Sequence, residues 1–239
     1  MPLSTKSIPV PPQQEPLSLR LGLAAAIFIL TFLPFIPAIH AGFSEFDDHG
    51  LLIEVKDWRG LALENLRWIF SSTHMGHYQP LTWISYATEF VIWGMNPVPF
   101  HINNILIHCL NAVLVFHLAA RLLRAGFNAD PGANPPVVGE RAILLASAAA
   151  ALLFSIHPLR VESVAWITER RDVLSTCFLL ATTLAYLRAF PARSVGPASV
   201  GWYIASIVLL LVSLLCKAWG MTFFVVAFII DWYPLRRLP

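Results

Sequence analysis

Long apolar runs separated by short polar clusters dominate the chain, and the runs have the length of membrane-spanning helices. A bilayer core takes about 20 mostly apolar helical residues. Such runs lie at about 20–40, 101–121, 141–157 and 172–189, while 200–234 is too long for one crossing and holds Lys217 near its middle. Basic residues mark the connections. Lys6 and Arg20 precede the first run, Arg121, Arg124 and Arg141 flank the second connection, Arg188 and Arg193 follow the fourth run, and Arg236 and Arg237 close the chain. Basic loops stay in the cytoplasm, so the number of crossings between Arg193 and Arg236 must be even. The last run is therefore expected to be a hairpin, 200–216 and 218–234, with Lys217 at its external turn. Six spans with both termini cytoplasmic follow, and the external side then carries seven basic and ten acidic residues against nine and four inside.

The external segment 41–100 has patterning of its own. Positions 58–70 place Leu63, Leu66, Ile69 and Phe70 on one helical stripe, and 80–93 is a second apolar stretch, interrupted by Glu89 and ended by Asn96-Pro97. Both are too short to span, and both are expected to be helices lying in the membrane interface. Asp48-His49-Gly50 is expected to form a turn. Residues 1–18, rich in Pro, Ser, Thr and Gln, read as a disordered cytoplasmic tail.

Composition agrees with an all-α integral membrane protein: of 239 residues, 57% are hydrophobic and 13% charged, about half the charge of a soluble domain. The net charge of +2, without a Lys/Arg block, gives no footprint for nucleic acid. Cys109, Cys177 and Cys216 all fall inside apolar runs and read as small core residues. No spacing among His74, His77 and His101 recommends a zinc site, and 1–239 contains no internal repeat, P-loop, GxGxxG or HExxH.

Candidate chemistry collects at one membrane face. No charged side chain lies between Arg20 and Glu45, and Asp47 and Asp48 follow directly. Carboxylates that emerge at a helix end, where lipid cannot hydrate them, usually serve a purpose. As adjacent acids alone, they fit a helix N-cap or a solvated turn equally well. A second cluster, 157–166 with Arg160 and Glu162, and Glu169-Arg170-Arg171-Asp172, sits between the third and fourth runs.

Seven motifs resemble those of one family. They are Phe46-Asp47-Asp48, His77-Tyr78-Gln79-Pro80-Leu81-Thr82-Trp83, Trp93-Gly94-Met95-Asn96-Pro97, Phe100-His101-Ile102-Asn103-Asn104, the stretch 157–166, Glu169-Arg170-Arg171-Asp172-Val173-Leu174-Ser175-Thr176, and Asp231-Trp232-Tyr233-Pro234-Leu235. In this order they are similar to the bacterial transmembrane-and-TPR proteins, relatives of the eukaryotic TPR-containing O-mannosyltransferases within the GT-C glycosyltransferase superfamily. The likeness runs from about Phe43 to the end and departs at Lys217-Ala218, where relatives tend to have Lys-Pro.

The resemblance implies a GT-C-like multi-span helical bundle over 19–239, here its N-terminal membrane portion, with further spans and a TPR array expected beyond Pro239. It implies transfer of a sugar, mannose or similar, from a polyprenyl-phosphate donor to an acceptor protein hydroxyl on the non-cytoplasmic side, in a bacterial inner membrane. Asp47 is then the general base, with Asp48 beside it as orienting or tuning acid. Arg160, Arg170, Arg171 and Lys217 are the candidates for the donor phosphate, and Glu162, His77 and Tyr78 for the substrates. Each retains a structural alternative: Glu162 pairing an arginine, 169–172 anchoring a helix, Lys217 reaching to the interface, Tyr78 serving as an interfacial aromatic. No cofactor is required, and a divalent metal is compatible with the chemistry without being called for. Two other classes stay open, a membrane scaffold without chemistry and a transporter, although a transporter would carry its charges near the midplane on repeated, broken helices.

Overall fold

The computed structural model describes residues 17–127, 138–190 and 199–237. The chain begins with α1 (Leu17–Phe32), which continues as a 3-10 helix over Leu33–His40. Pro34 and Pro37 supply no N–H for the α-ladder, and the backbone tightens there. The tail expected over 1–18 lies outside the described residues except for Leu17 and Ser18, which are helical. Next come α2 (Leu63–Ser71), α3 (Pro80–Trp93), α4 (Pro97–Phe127), α5 (Glu140–Ser155), α6 (Arg160–Ala165), α7 (Arg170–Ala189), α8 (Val200–Cys216) and α9 (Phe223–Trp232). No strand occurs among the described residues. The architecture is an all-α membrane bundle.

Among the described residues, three helical runs are long and apolar enough to cross a membrane: Leu17–His40, Pro97–Phe127 and Ile167–Ala189. The other three expected spans correspond to shorter helices, 16 residues in α5, 17 in α8, and a five-residue 3-10 turn followed by ten residues in α9. Contacts at their ends show that the six helices alternate in direction. At one end, Glu140 of α5 accepts hydrogen bonds from Arg20 of α1 at 2.8 Å and from Arg124 of α4 at 2.6–3.0 Å. There too, Arg121 donates to the carbonyls of Leu184 and Leu187, Arg188 lies over the Trp202 ring at 4.7 Å, and Tyr186 donates to Asp231 of α9. The other end carries residues 41–96, α6 and the 217 turn.

Packing follows residue size. Ala112, Ala120, Ala148 and Ala151 bury against Ile27, Phe116, Ile143 and Leu144, so small side chains bring α1, α4 and α5 close. Between α7 and α8, the Ser175 and Ser213 hydroxyls lie 3.0 Å apart and Ser213 also donates to the Ser175 carbonyl.

The segment between α1 and α4 departs from expectation in three places. The helix expected over 58–70 starts five residues later, because Gly60 has φ +145 and breaks the helical path. Trp58, which opens the stretch expected to lie in the interface, is instead fully buried against Trp83, Tyr86 and Phe90. Residues 47–53 are helical, ending in a π-turn over His49–Ile53, where a turn was expected. Pro80–Trp93 forms as expected, but Glu89 does not interrupt it. Its carboxylate is buried on a cationic partner.

Candidate active site

Thr168 and Ser44 fix where the acidic pair sits. Asp48 is 1% exposed, and its carboxylate accepts the backbone N–H of Ser44 at 2.8 Å and that of Thr168 at 3.0 Å. Neither an N-cap nor a solvated turn describes it. It is a strut that ties the segment after α1 to the start of α7, reinforced by Trp166 Nε1 donating to Ser44 Oγ at 2.8 Å. A buried carboxylate is tolerable when such donors satisfy it. Asp47, next to it, is half-buried and has no hydrogen-bond or ion-pair partner among the described residues. One acid is fully committed to position and its neighbour is left available.

The four basic candidates fall in three different settings. Arg170 is fully buried. Its Nη1 bonds the Glu89 carboxylate, Nε the Asn104 side chain at 2.7 Å and Nη2 the Phe100 carbonyl at 2.8 Å, with Tyr86 and Phe100 rings against the guanidinium. With these donors on protein acceptors, Arg170 holds α3, α4 and α7 together and offers no free face to a phosphate. Asn103 adds a 2.6 Å hydrogen bond to Glu89. Burial raises the Glu89 carboxyl above its ordinary range, against the pull of Arg170. Burial likewise pushes the Tyr86 phenol up, and its hydroxyl donates to the Ile167 carbonyl at 2.9 Å.

Arg171 and Lys217 meet in a four-membered ionic cluster. Arg171 pairs with Glu169, Lys217 lies 3.4 Å from Glu169 and bonds Asp172, and Ser163 of α6 donates to Asp172 at 3.3 Å. Lys217 also stacks on Trp219 at 4.6 Å. Two hydrogen bonds hold this turn: Thr82 of α3 donates to the Cys216 carbonyl at 3.0 Å, and Ser175 of α7 to the Lys217 carbonyl at 3.3 Å. Thr168, which carries Asp48, directly precedes Glu169, so the acidic pair and the cluster share one short stretch of chain.

The remaining candidates lie apart from the cluster. Arg160 donates from Nε to the Phe154 carbonyl at 3.3 Å and lies over the Phe154 ring at 4.5 Å, at the end of α5. Glu162 is exposed on α6. His77 and Tyr78 are exposed between α2 and α3, with the Tyr78 hydroxyl on the Phe70 carbonyl at 3.3 Å. That loop leans on the 47–53 turn through His74, 3.3 Å from the Gly50 carbonyl. Among the described residues no group of three or more His, Cys, Asp or Glu could hold a metal ion.

Sequence reasoning missed Ser44, Thr168, Glu89 and the Asn103–Asn104 pair. Glu89 had a readable signal: a single acid in an otherwise apolar helix requires a cation. The backbone donors of Ser44 and Thr168 carry none, since any residue supplies an N–H.

Comparison with known proteins adds a second line. Human protein O-mannosyl-transferase TMTC4 is 32% identical over 188 residues, 74% of this chain and 25% of that protein. Drosophila melanogaster protein O-mannosyl-transferase Tmtc1 is 33% identical over 202 residues, 81% of this chain and 21% of that protein. Mouse protein O-mannosyl-transferase TMTC2 is 28% identical over 169 residues, 70% and 18% respectively. The chain is homologous to the TMTC protein O-mannosyl-transferases. It spans about a quarter of the length of these relatives, or less. No family model matches the chain, and no solved structure matches it.

Proposed function

We propose that the chain forms membrane portion and reaction centre of an inverting, GT-C-type O-mannosyltransferase. It takes mannose or a similar sugar from a polyprenyl phosphate and passes it to a protein hydroxyl on the non-cytoplasmic side of a bacterial inner membrane. The basic end of the bundle then faces the cytoplasm, and a TPR array belongs to the longer protein. The observation that carries this reading is the contrast between Asp48, buried on two backbone N–H groups, and Asp47, half-buried beside it and unpartnered among the described residues. A base needs to be held firmly and left free to accept a proton.

In this reaction the acceptor hydroxyl oxygen attacks the anomeric carbon and its proton goes to the Asp47 carboxylate. The anomeric carbon–oxygen bond to phosphate breaks, its electron pair staying on the phosphate oxygen, and configuration at the carbon inverts. Charge develops on the departing phosphate, where Arg171 and Lys217 stabilise it. The leaving group departs without a nucleotide, so the chemistry requires no metal. Arg160 lies outside the cluster, on Phe154; Glu162, His77 and Tyr78 flank the acceptor approach. Substitution of Asp47 tests the reading. Membranes expressing the protein receive polyprenyl-phosphate mannose and an acceptor peptide. Asp47→Asn is expected to lower transfer by about 100- to 10,000-fold while protein level and polyprenyl-phosphate binding persist. Transfer at the unmodified rate would remove the catalytic role and leave a membrane scaffold.

A further inference from the structure

Arg171 and Lys217, the cations assigned above to the leaving phosphate, do not stand as a bare anion site. Each already has a carboxylate: Glu169 on Arg171, and Asp172 with Glu169 on Lys217. Two cations and two acids give a neutral set, sheltered enough to feel one another strongly, with side-chain exposures of 11% for Arg171, 9% for Glu169, 10% for Asp172 and 22% for Lys217. The set is nevertheless incomplete. Arg171 Nε is buried and has no hydrogen-bond partner among the described residues, so the carboxylates leave at least this guanidinium donor unused. Lys217 is the most exposed member and, at the end of α8, the one most readily reached by a ligand at the membrane surface.

The reaction makes this arrangement consequential. A sugar phosphodiester carries one negative charge. Once the anomeric carbon–oxygen bond breaks, the electron pair stays on the phosphate, and the lipid product is a monoester with up to two. Two unopposed cations would therefore bind the product more tightly than the donor, and release would limit turnover. A carboxylate beside each cation works against that outcome, because phosphate must exchange places with it or bear its repulsion.

We propose that Glu169 and Asp172 are positioning residues that act as a counter-ion brake: they hold Arg171 and Lys217 in place and, by competing for them, keep the lipid phosphate product from binding too tightly. This rests on the assignment of the donor phosphate to Arg171 and Lys217. Asp172→Asn and Glu169→Gln keep shape and hydrogen-bond acceptance while removing one negative charge each, so Lys217 and Arg171 keep an oxygen partner.

The test is binding of undecaprenyl phosphate to the full chain in lipid nanodiscs, with steady-state transfer measured in parallel. Arg171→Ala and Lys217→Ala are expected to weaken binding at least tenfold. Asp172→Asn and Glu169→Gln are expected to tighten it, on the order of tenfold for one charge removed at this range. In transfer, Asp172→Asn should lower KM and kcat together. A purely structural role for the two acids predicts the opposite sign, since a loosened cluster binds less. If the cation variants weaken binding but neither acid variant tightens it, the brake is overturned and the phosphate assignment stands. If the cation variants bind as the unmodified chain does, the phosphate assignment itself falls, and the brake with it.

Discussion

Asp48→Asn should damage the protein through position, and the cost can be worked from two hydrogen bonds. The carboxylate takes Ser44 N–H on one oxygen at 2.8 Å and Thr168 N–H on the other at 3.0 Å, at a site 1% exposed. Asparagine keeps one acceptor oxygen and turns an NH2 toward the other donor. One charge-assisted hydrogen bond, about 1.5–3 kcal/mol, is lost, and a buried backbone N–H is left without an acceptor. A net destabilisation of about 3 kcal/mol follows for the strut joining residues 44–48 to Thr168. Hydrogen exchange reads it locally: protection of the Ser44 or Thr168 amide should fall by on the order of 100-fold, with distant α4 amides unchanged. Transfer should fall as well, because Asp47 is carried on the same turn. Unchanged protection at both amides would refute the strut, and with it the division of labour between the two acids.

Two further substitutions probe the frame around the site. Glu89→Ala strips Arg170 of its only carboxylate among the described residues in a fully buried setting, and a buried cation left alone costs about 3–5 kcal/mol; reversible unfolding in mixed micelles measures it, and Glu89→Gln should cost less because an oxygen acceptor remains. Gly60→Ala should destabilise the segment before α2 by about 1–3 kcal/mol, since Gly60 has φ +145 and a Cβ there would meet Asn65 Oδ1 at 2.7 Å; a stability equal to the unmodified chain would show that the turn relaxes freely.

Periodicity made the helices legible, because burial in lipid or in a neighbour requires an apolar run whichever partner is present. The bounds of α8 and α3 follow directly from where their apolar residues start and stop. Failures came where tertiary partners overrode local pattern. Trp58 has the amphipathic look of an interfacial anchor, yet Trp83, Tyr86 and Phe90 surround it. Arg170 and Arg171 are adjacent and chemically identical in sequence, but on a helix consecutive side chains point about 100° apart. One therefore faces Glu89 and Asn104 in the interior and the other the Glu169–Lys217 cluster. The same ambiguity applied to Asp47 and Asp48, and the Ser44 and Thr168 amides distinguish them.

The distribution of charge along the bundle bears on the choice between a surface reaction and carriage across the membrane. No Asp, Glu, Lys or Arg occurs in 21–44, 97–120, 142–159, 173–187 or 199–216. Polar groups within those stretches are used between helices: Thr31 with Ser155 at 2.8 Å, His108 on the Ser155 carbonyl at 2.9 Å, Asn111 on the Val173 carbonyl at 2.8 Å. A path for a polar solute needs ionisable groups near the midplane that face a cavity. Here the ionised groups gather at the two ends, and the ends differ. Glu140 joins Arg20 and Arg124 in a closed lock of helix termini. Among the described residues, the opposite end holds a neutral cluster with a spare guanidinium donor and a carboxylate without a partner. That asymmetry suits the reaction proposed above, at one membrane surface, with a lipid-borne anion arriving from the side and a hydroxyl from the water.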